Sequence, residues 1–186
     1  MGKTARGPLV ILATDPGHAS AAAALLECHG KLIICRRLEV LRTVKNPNVR
    51  VMDDEDRRLR EYCDMLGRVR GDAVIEVLAY EWYRPFKAAD GEYQVAHGRT
   101  VAKSEGVAIG YAVAIGAKSV PVDPARPKRI LKASSKKDVS TVLEARIQGL
   151  TQLLDRAGRS GHHGSDAVGI GYTAMVDFYK KAAGAT

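Results

Sequence analysis

Leu9-Val10-Ile11-Leu12-Ala13-Thr14-Asp15-Pro16-Gly17 is the stretch from which the rest of the chain can be read. Its apolar run has the length and character of a buried strand, and Pro16 with Gly17 stops that strand and turns the chain. Asp15 therefore stands at the carboxyl end of a buried strand, which is where α/β folds usually place their sites.

Working outward, residues 21–28 and 31–40 flank His29-Gly30 and read as a hairpin, so the first three strands form a meander. A loop through Asn46-Pro47-Asn48 leads to a helix over residues 53–70: acidic residues crowd its first turn, Leu59, Cys63, Leu66 and Val69 recur at helical spacing, and Gly71 ends it. Residues 73–80 form a mostly apolar strand that runs directly into Glu81. A polar loop through Gly91 precedes a helix over residues 95–118. Gly106, Gly110 and Gly116 lie on it and weaken it by up to about 1 kcal/mol each, which calls for close packing against a sheet or a partner subunit. Residues 120–123 read as a fifth strand, 124–137 as a basic connection, 138–157 as a helix with Leu143, Ile147, Leu150 and Leu154 in one stripe, and 165–181 as a last helix. The expectation is one α/β domain over residues 1–186, with a mixed five-stranded sheet of a three-strand antiparallel meander plus two parallel strands, flanked by helices. That order resembles the ribonuclease H arrangement.

The chain has 186 residues, 46% of them hydrophobic and 27% charged, which excludes a disordered or fibrous class. Its most apolar stretch, residues 107–117, carries two glycines and is far short of the roughly 20 apolar residues of a membrane span. No signal-peptide block precedes the first strand, and Arg6 stands where a myristoylation motif after Gly2 wants Ser or Thr. Cys28, Cys35 and Cys63 form no Cys-x-x-Cys pair, so they read as free thiols in a reducing compartment; a bacterial or phage-infected cytoplasm is expected, and an organelle is compatible. The formal net charge is +8, and between Lys118 and Lys137 seven cations face one anion, Asp123. Such a block is either a solvated loop or a polyanion-binding surface.

Asp15 and Glu81 each also read as a turn or cap residue, but two acids at the ends of strands that can be neighbours point to a shared site. Gly161-His162-His163-Gly164-Ser165-Asp166 opens the last helix. His163 and Asp166, or His162 and Asp166, share a helical face, so the sequence leaves open which imidazole accompanies the acid. Ser165 or Asp166 as a plain helix cap is the competing reading. Three carboxylates and an imidazole suit hard divalent ions such as Mg²⁺ or Mn²⁺. Two such ions about 4 Å apart activate water and stabilise the leaving oxygen of a phosphodiester without a protein nucleophile.

Ile11-Leu12-Ala13-Thr14-Asp15-Pro16-Gly17, Ala79-Tyr80-Glu81 and His163-Gly164-Ser165-Asp166-Ala167 resemble the three acidic blocks of the RuvC family of Holliday junction resolvases. Ser104-Glu105-Gly106-Val107-Ala108 resembles that family's glycine-containing helix, Pro124-Ala125-Arg126-Pro127-Lys128 its Pro-x-x-x-Lys element, and Lys136-Lys137-Asp138-Val139 its Lys-x-x-Val helix start. The resemblance implies a ribonuclease H-like fold, a homodimer and Mg²⁺-dependent paired nicking of four-way junction DNA, with Mn²⁺ able to substitute and with branch-migration proteins as possible partners. It carries Asp15, Glu81, His163 and Asp166 over as the metal-binding catalytic set, His163 standing where many members have Asp. Lys128 and Lys136 carry over as cations near the scissile phosphate, with Arg129, Lys132 and Lys137 beside them on the DNA. The family's usual Phe three residues after the glutamate is Arg84 here; Tyr83 or Phe86 would take over base stacking, while Trp82 and Phe86 packing beneath the loop is the alternative. Glu105 stands where Arg is common, and Leu131-Lys132-Ala133-Ser134-Ser135 replaces a Gly-rich loop. The same fold also serves nucleases of branched DNA in general and non-catalytic junction binders. His29 and His97 read as surface or turn residues, and His18, close to Asp15, has no partner by spacing.

Overall fold

The protein is described here by a computed structural model covering residues 7–82, 95–158 and 162–184. The elements follow in the order β1 (Leu9–Asp15), β2 (Ser20–His29), β3 (Leu32–Arg42), α1 (Val51–Arg70), β4 (Val77–Glu81), α2 (Val95–Ala114), β5 (Lys118–Val122), α3 (Arg126–Leu131), α4 (Lys136–Arg146), β6 (Ile147–Gln148), α5 (Leu150–Arg156) and α6 (His163–Ala182). The strands make one mixed sheet in the order β5-β4-β1-β2-β3-β6. The meander β1, β2, β3 is antiparallel, β4 pairs parallel with β1 on one side and with β5 on the other, and β6 pairs parallel with β3.

Six strands replace the expected five, because the helix read over 138–157 is interrupted. Ile147 and Gln148 pair with Ile33 and Ile34, and Gly149, at φ 83°, redirects the chain into α5. Other details differ as well. Residues 73–76 lie outside the strand that ends at Glu81, α2 stops at Ala114 rather than at 118, and the basic connection holds the short helix α3, with proline in its first turn.

Side chains alternate across a strand, so β1 serves two cores. Leu9, Ile11 and Ala13 pack on α6 with Val168, Ile170 and Ala174, while Leu12 joins Tyr62, Met65 and Leu66 of α1 and Ala108 and Ala112 of α2. Ile11, Leu12, Leu26, Met65, Leu66 and Leu78 are completely buried, and each contributes about 1.5–3 kcal/mol by leaving water. The one polar group in the middle of β1, Thr14, is satisfied: its hydroxyl donates to the Ala22 carbonyl at 2.7 Å and lies 3.0 Å from the buried Tyr62 hydroxyl. No helix among the described residues is long and apolar enough to cross a membrane.

Helix α6 approaches the sheet so closely that a Cβ on Gly171 would come within 2.6 Å of Leu26 Cδ1 and 2.8 Å of Ala13 Cβ. Gly171→Ala is therefore expected to destabilise by about 1–3 kcal/mol through overpacking. Gly67→Ala, inside α1 with only the Tyr111 hydroxyl at 3.8 Å, is expected to stabilise by up to about 1 kcal/mol. Denaturant midpoints of the two variants, shifting in opposite directions, check both.

Candidate active site

The alternation that buries Ile11 and Ala13 under α6 also sends Asp15 to the α6 side, and the same alternation in β4, with Val77 and Ala79 under α6, sends Glu81 there. Thr14 and Tyr80 are register partners on the parallel pair β1 and β4. Their successors Asp15 and Glu81 therefore lie side by side, about one strand spacing of 4.8 Å apart. The turn after Asp15 is fixed by Gly17, where a Cβ would meet the Ser20 carbonyl oxygen at 1.9 Å.

Helix α6 supplies the other half of the site. It begins at His163, with His162 exposed at the cap position and making no side-chain cap bond. The helix-cap readings of Ser165 and Asp166 do not hold. The Ser165 hydroxyl lies 2.9 Å from that of Ser140 on α4, and the Asp166 carboxylate accepts a hydrogen bond from Lys136 Nζ at 2.7 Å. Of the two imidazoles it is His163 that contacts the acids: its Nδ1 is 2.7 Å from Asp15 Oδ2. A capping box at Ser135 and Asp138 starts α4 at Lys136, two residues before the expected start, and so delivers that ammonium to the site. A cation in the first turn of a helix opposes the helix dipole, and the Asp166 carboxylate offsets this cost.

The electrostatics follow from this packing. Burial pushes the Glu81 carboxyl up to about 7, and Asp15 and Asp166 push in the same direction while Lys136 partly opposes them; Glu105, reaching in from α2, adds to the rise. The His163 imidazole is raised above its ordinary value chiefly by its hydrogen bond to Asp15. Burial works against the charge of Lys136, but the hydrogen bond and charge of Asp166, with Asp15 and Glu81, outweigh it and raise its pKa. The site is thus a group of carboxylates tied by hydrogen bonds to an imidazole and an ammonium. Among the described residues, no three acid, imidazole or thiol groups stand gathered as a formed metal shell. The donor set nonetheless has the chemistry of a hard-cation site, and a buried carboxyl that retains its proton to about pH 7 beside two other acids marks a place short of positive charge.

The basic block divides. Only Lys136 makes a bond into the site; Lys137 is exposed on α4, Lys132 is exposed at the left-handed end of α3 with φ 54°, Lys128 is half-buried, and the Arg129 guanidinium lies 3.9 Å from Asp123. Lys118 begins β5 opposite Val77, at the far end of the sheet from Glu81, so the block is not one surface. Trp82, directly after Glu81, is 44% exposed, and the loop that follows it lies outside the described residues. The stacking candidates Tyr83, Arg84 and Phe86 lie outside the described residues.

Two features escaped the sequence. Glu105 appeared there only as a departure from a family pattern, with no sign that its charge reaches Glu81. Beside the Asp15 turn, the buried Arg58 donates to buried Asp54 at 2.8 Å, and its Nη1 lies 3.4 Å from His18 Nδ1, which ties α1 to the loop after β1. Burial, then Arg58, lowers the His18 pKa.

A mixed sheet of this order, with the site between strand ends and a terminal helix, defines the ribonuclease H-like fold. Solved structures agree. The chain is similar to Thermus thermophilus RuvC in complex with a Holliday junction substrate, with TM-score 0.66 at 17% identity over 95% of this chain and 98% of that one. It is also similar to the yeast mitochondrial Holliday junction resolvase, with TM-score 0.61 at 11% identity over 96% and 85% of the two chains. The fowlpox virus Holliday junction resolvase matches with TM-score 0.59 at 14% identity over 91% and 99%. No protein-family model and no curated protein sequence matches the chain.

Because the Glu81 carboxyl ionises near pH 7 in the folded protein and near 4.5 unfolded, ionising it costs stability progressively as pH rises between those values. Glu81→Gln is expected to leave stability unchanged near pH 4 and to raise it above pH 7 by up to about 3 kcal/mol. Denaturant melts of both proteins across this range read the difference.

Proposed function

We propose that this protein is a divalent-metal-dependent endodeoxyribonuclease that resolves four-way DNA junctions by paired phosphodiester hydrolysis. The observation that carries the reading is the convergence of Asp15, Glu81 and Asp166 at one end of a ribonuclease H-like sheet whose solved counterparts are junction resolvases. In this reading Asp15, Glu81, His163 and Asp166 hold Mg²⁺, two ions per site, with Mn²⁺ as a substitute. The bound metal supplies Lewis-acid polarisation of the phosphate and lowers the pKa of water. The carboxylates provide the negative charge that retains the ions. His163, oriented through Nδ1 by Asp15, has one ring nitrogen left, which either ligates the metal or, where the carboxylates alone hold the ions, exchanges a proton with the leaving oxygen or the attacking water. Lys136, released from Asp166, meets the phosphate charge; Lys128, Lys132 and Lys137 line the approach. The three free cysteines suit a reducing compartment such as a bacterial or phage-infected cytoplasm.

The expected homodimer has a candidate face. On α2, Cβ positions at Gly106 and Gly110 meet nothing within 4 Å, so the sheet does not explain these glycines. They lie exposed on the same helix as Ile109 and Val113, which are 38% and 74% exposed, and a second copy packing there would cover them. Two sites related by a two-fold axis suit a near-symmetric substrate.

Asp15→Asn is expected to lower nicking of a four-way junction by at least about a thousandfold in Mg²⁺ or Mn²⁺, in line with loss of metal-centred transition-state stabilisation, while junction binding persists. A panel of junctions, flaps, forks and duplex at constant salt tests the substrate class: equal cutting of all four points to a general branched-DNA nuclease. Binding without nicking in either metal by the unaltered protein points to a junction binder. Val113→Asp is expected to convert the dimer to monomers in sedimentation while the fold melts normally; a monomeric parent protein contradicts the dimer.

A further inference from the structure

A groove of about 850 Å³ runs between α3 and α6, away from the carboxylates. One wall is the α3 face bearing Arg126, Arg129 and Ile130; the other is the α6 stripe Tyr172, Val176 and Lys180, at i, i+4 and i+8. Past Tyr172, the Arg146 guanidinium stands 5.9 Å over the ring and donates to its hydroxyl at 2.8 Å. Three cations, Arg126, Arg129 and Lys180, line the groove. Its acids are engaged: Asp177 accepts from Arg126 at 2.6 Å, and Asp123 lies 3.9 Å from Arg129. The side chains of Asp177 and Asp123 are only 23% and 25% exposed, against 45% for Arg126 and 69% for Arg129, so the surface offered to solvent is guanidinium and ammonium.

One end of the groove lies near the site. It starts at Asp123, one residue past Val122, the register partner of Glu81. Its α6 wall runs from Tyr172 to Lys180, about 12 Å at 1.5 Å per residue. That length spans roughly three to four base pairs of duplex at about 3.4 Å each.

We propose that the groove between α3 and α6 is a second nucleic-acid surface, which holds the phosphate backbone of a duplex arm leading away from the branch point. The assignment rests on the nuclease reading above and extends it to residues outside the catalytic set. Arg126, Arg129 and Lys180 contact phosphates without reading bases, so they add affinity and orient the arm but confer no sequence preference.

Fluorescence anisotropy of a labelled, long-armed four-way junction over a salt series tests this, using the full chain and the Arg129→Gln/Lys180→Gln double variant. Loss of two phosphate contacts is expected to reduce the slope of log affinity against log salt by about 2 and to weaken junctions of different sequence equally. Lys180→Glu is expected to weaken binding further. On the unaltered protein, methylphosphonates placed about three to six nucleotides from the branch point, where the groove's reach falls, should reproduce the loss. Their effect requires no mutation, so it stands even if a variant folds poorly. Wild-type slope and affinity in the double variant, with no methylphosphonate effect, overturn the proposal and leave the groove to an acidic protein partner. An unaltered protein that shows no salt-dependent junction binding overturns the nuclease reading itself, before the groove is at issue.

Discussion

The close approach of α6 to β1 and β2 is the constraint on which the rest depends. Gly171 lies against Leu26 and Ala13 with no room for a methyl group. Because the interior is packed to near-crystalline density, a helix held this near the sheet has its register fixed as well as its distance. That register places the first turn of α6 over the carboxyl ends of β1 and β4. The 2.7 Å contact of His163 with Asp15 follows, as do the Ser165 hydroxyl beside Ser140 and the Lys136 bond to Asp166. A helix displaced by one carbon radius would still bury its apolar face, but it would draw Asp166 away from Asp15 and Glu81.

The charge arrangement is a consequence of the same packing. Asp15, Glu81, Asp166 and Glu105 repel each other at this end of the sheet, and the folded chain tolerates this by two means: His163 is hydrogen-bonded to Asp15 and Lys136 to Asp166, and the Glu81 carboxyl is pushed up to about 7. Both are substitutes for external positive charge. A site of this composition binds cations more readily than the protein's net charge of +8 implies, and the overall excess resides elsewhere, some of it along the α3 and α6 groove.

Much of this was legible in the chain itself. Asp15 could be placed because Pro16-Gly17 ends an apolar run just after it, and Glu81 because a strand runs straight into it; the spacing of His163 and Asp166 put them on one face. What could not be read was set by distant partners. Leu143, Ile147, Leu150 and Leu154 match one continuous helix, and only pairing of Ile147 with Ile33 breaks it. Helix α3 was obscured by its charge, although Pro127 at its start was a usable signal. Asp54 reads as one of the acids crowding the first turn of α1, yet it is buried as a pair with Arg58, because the loop after β3 folds over it and Asn46 donates its backbone N–H to its carboxylate.

Mn²⁺-induced paramagnetic broadening of backbone amide resonances, recorded on the DNA-free protein, tests most directly whether these groups form one cation site. Broadening centred on Asp15, Glu81, His163 and Asp166, and lost in Asp15→Asn, is the expected result. Broadening centred instead on the surface acids of α1, Asp53, Asp56, Glu61 and Asp64, or none at all, would contradict a shared metal site at the end of the sheet.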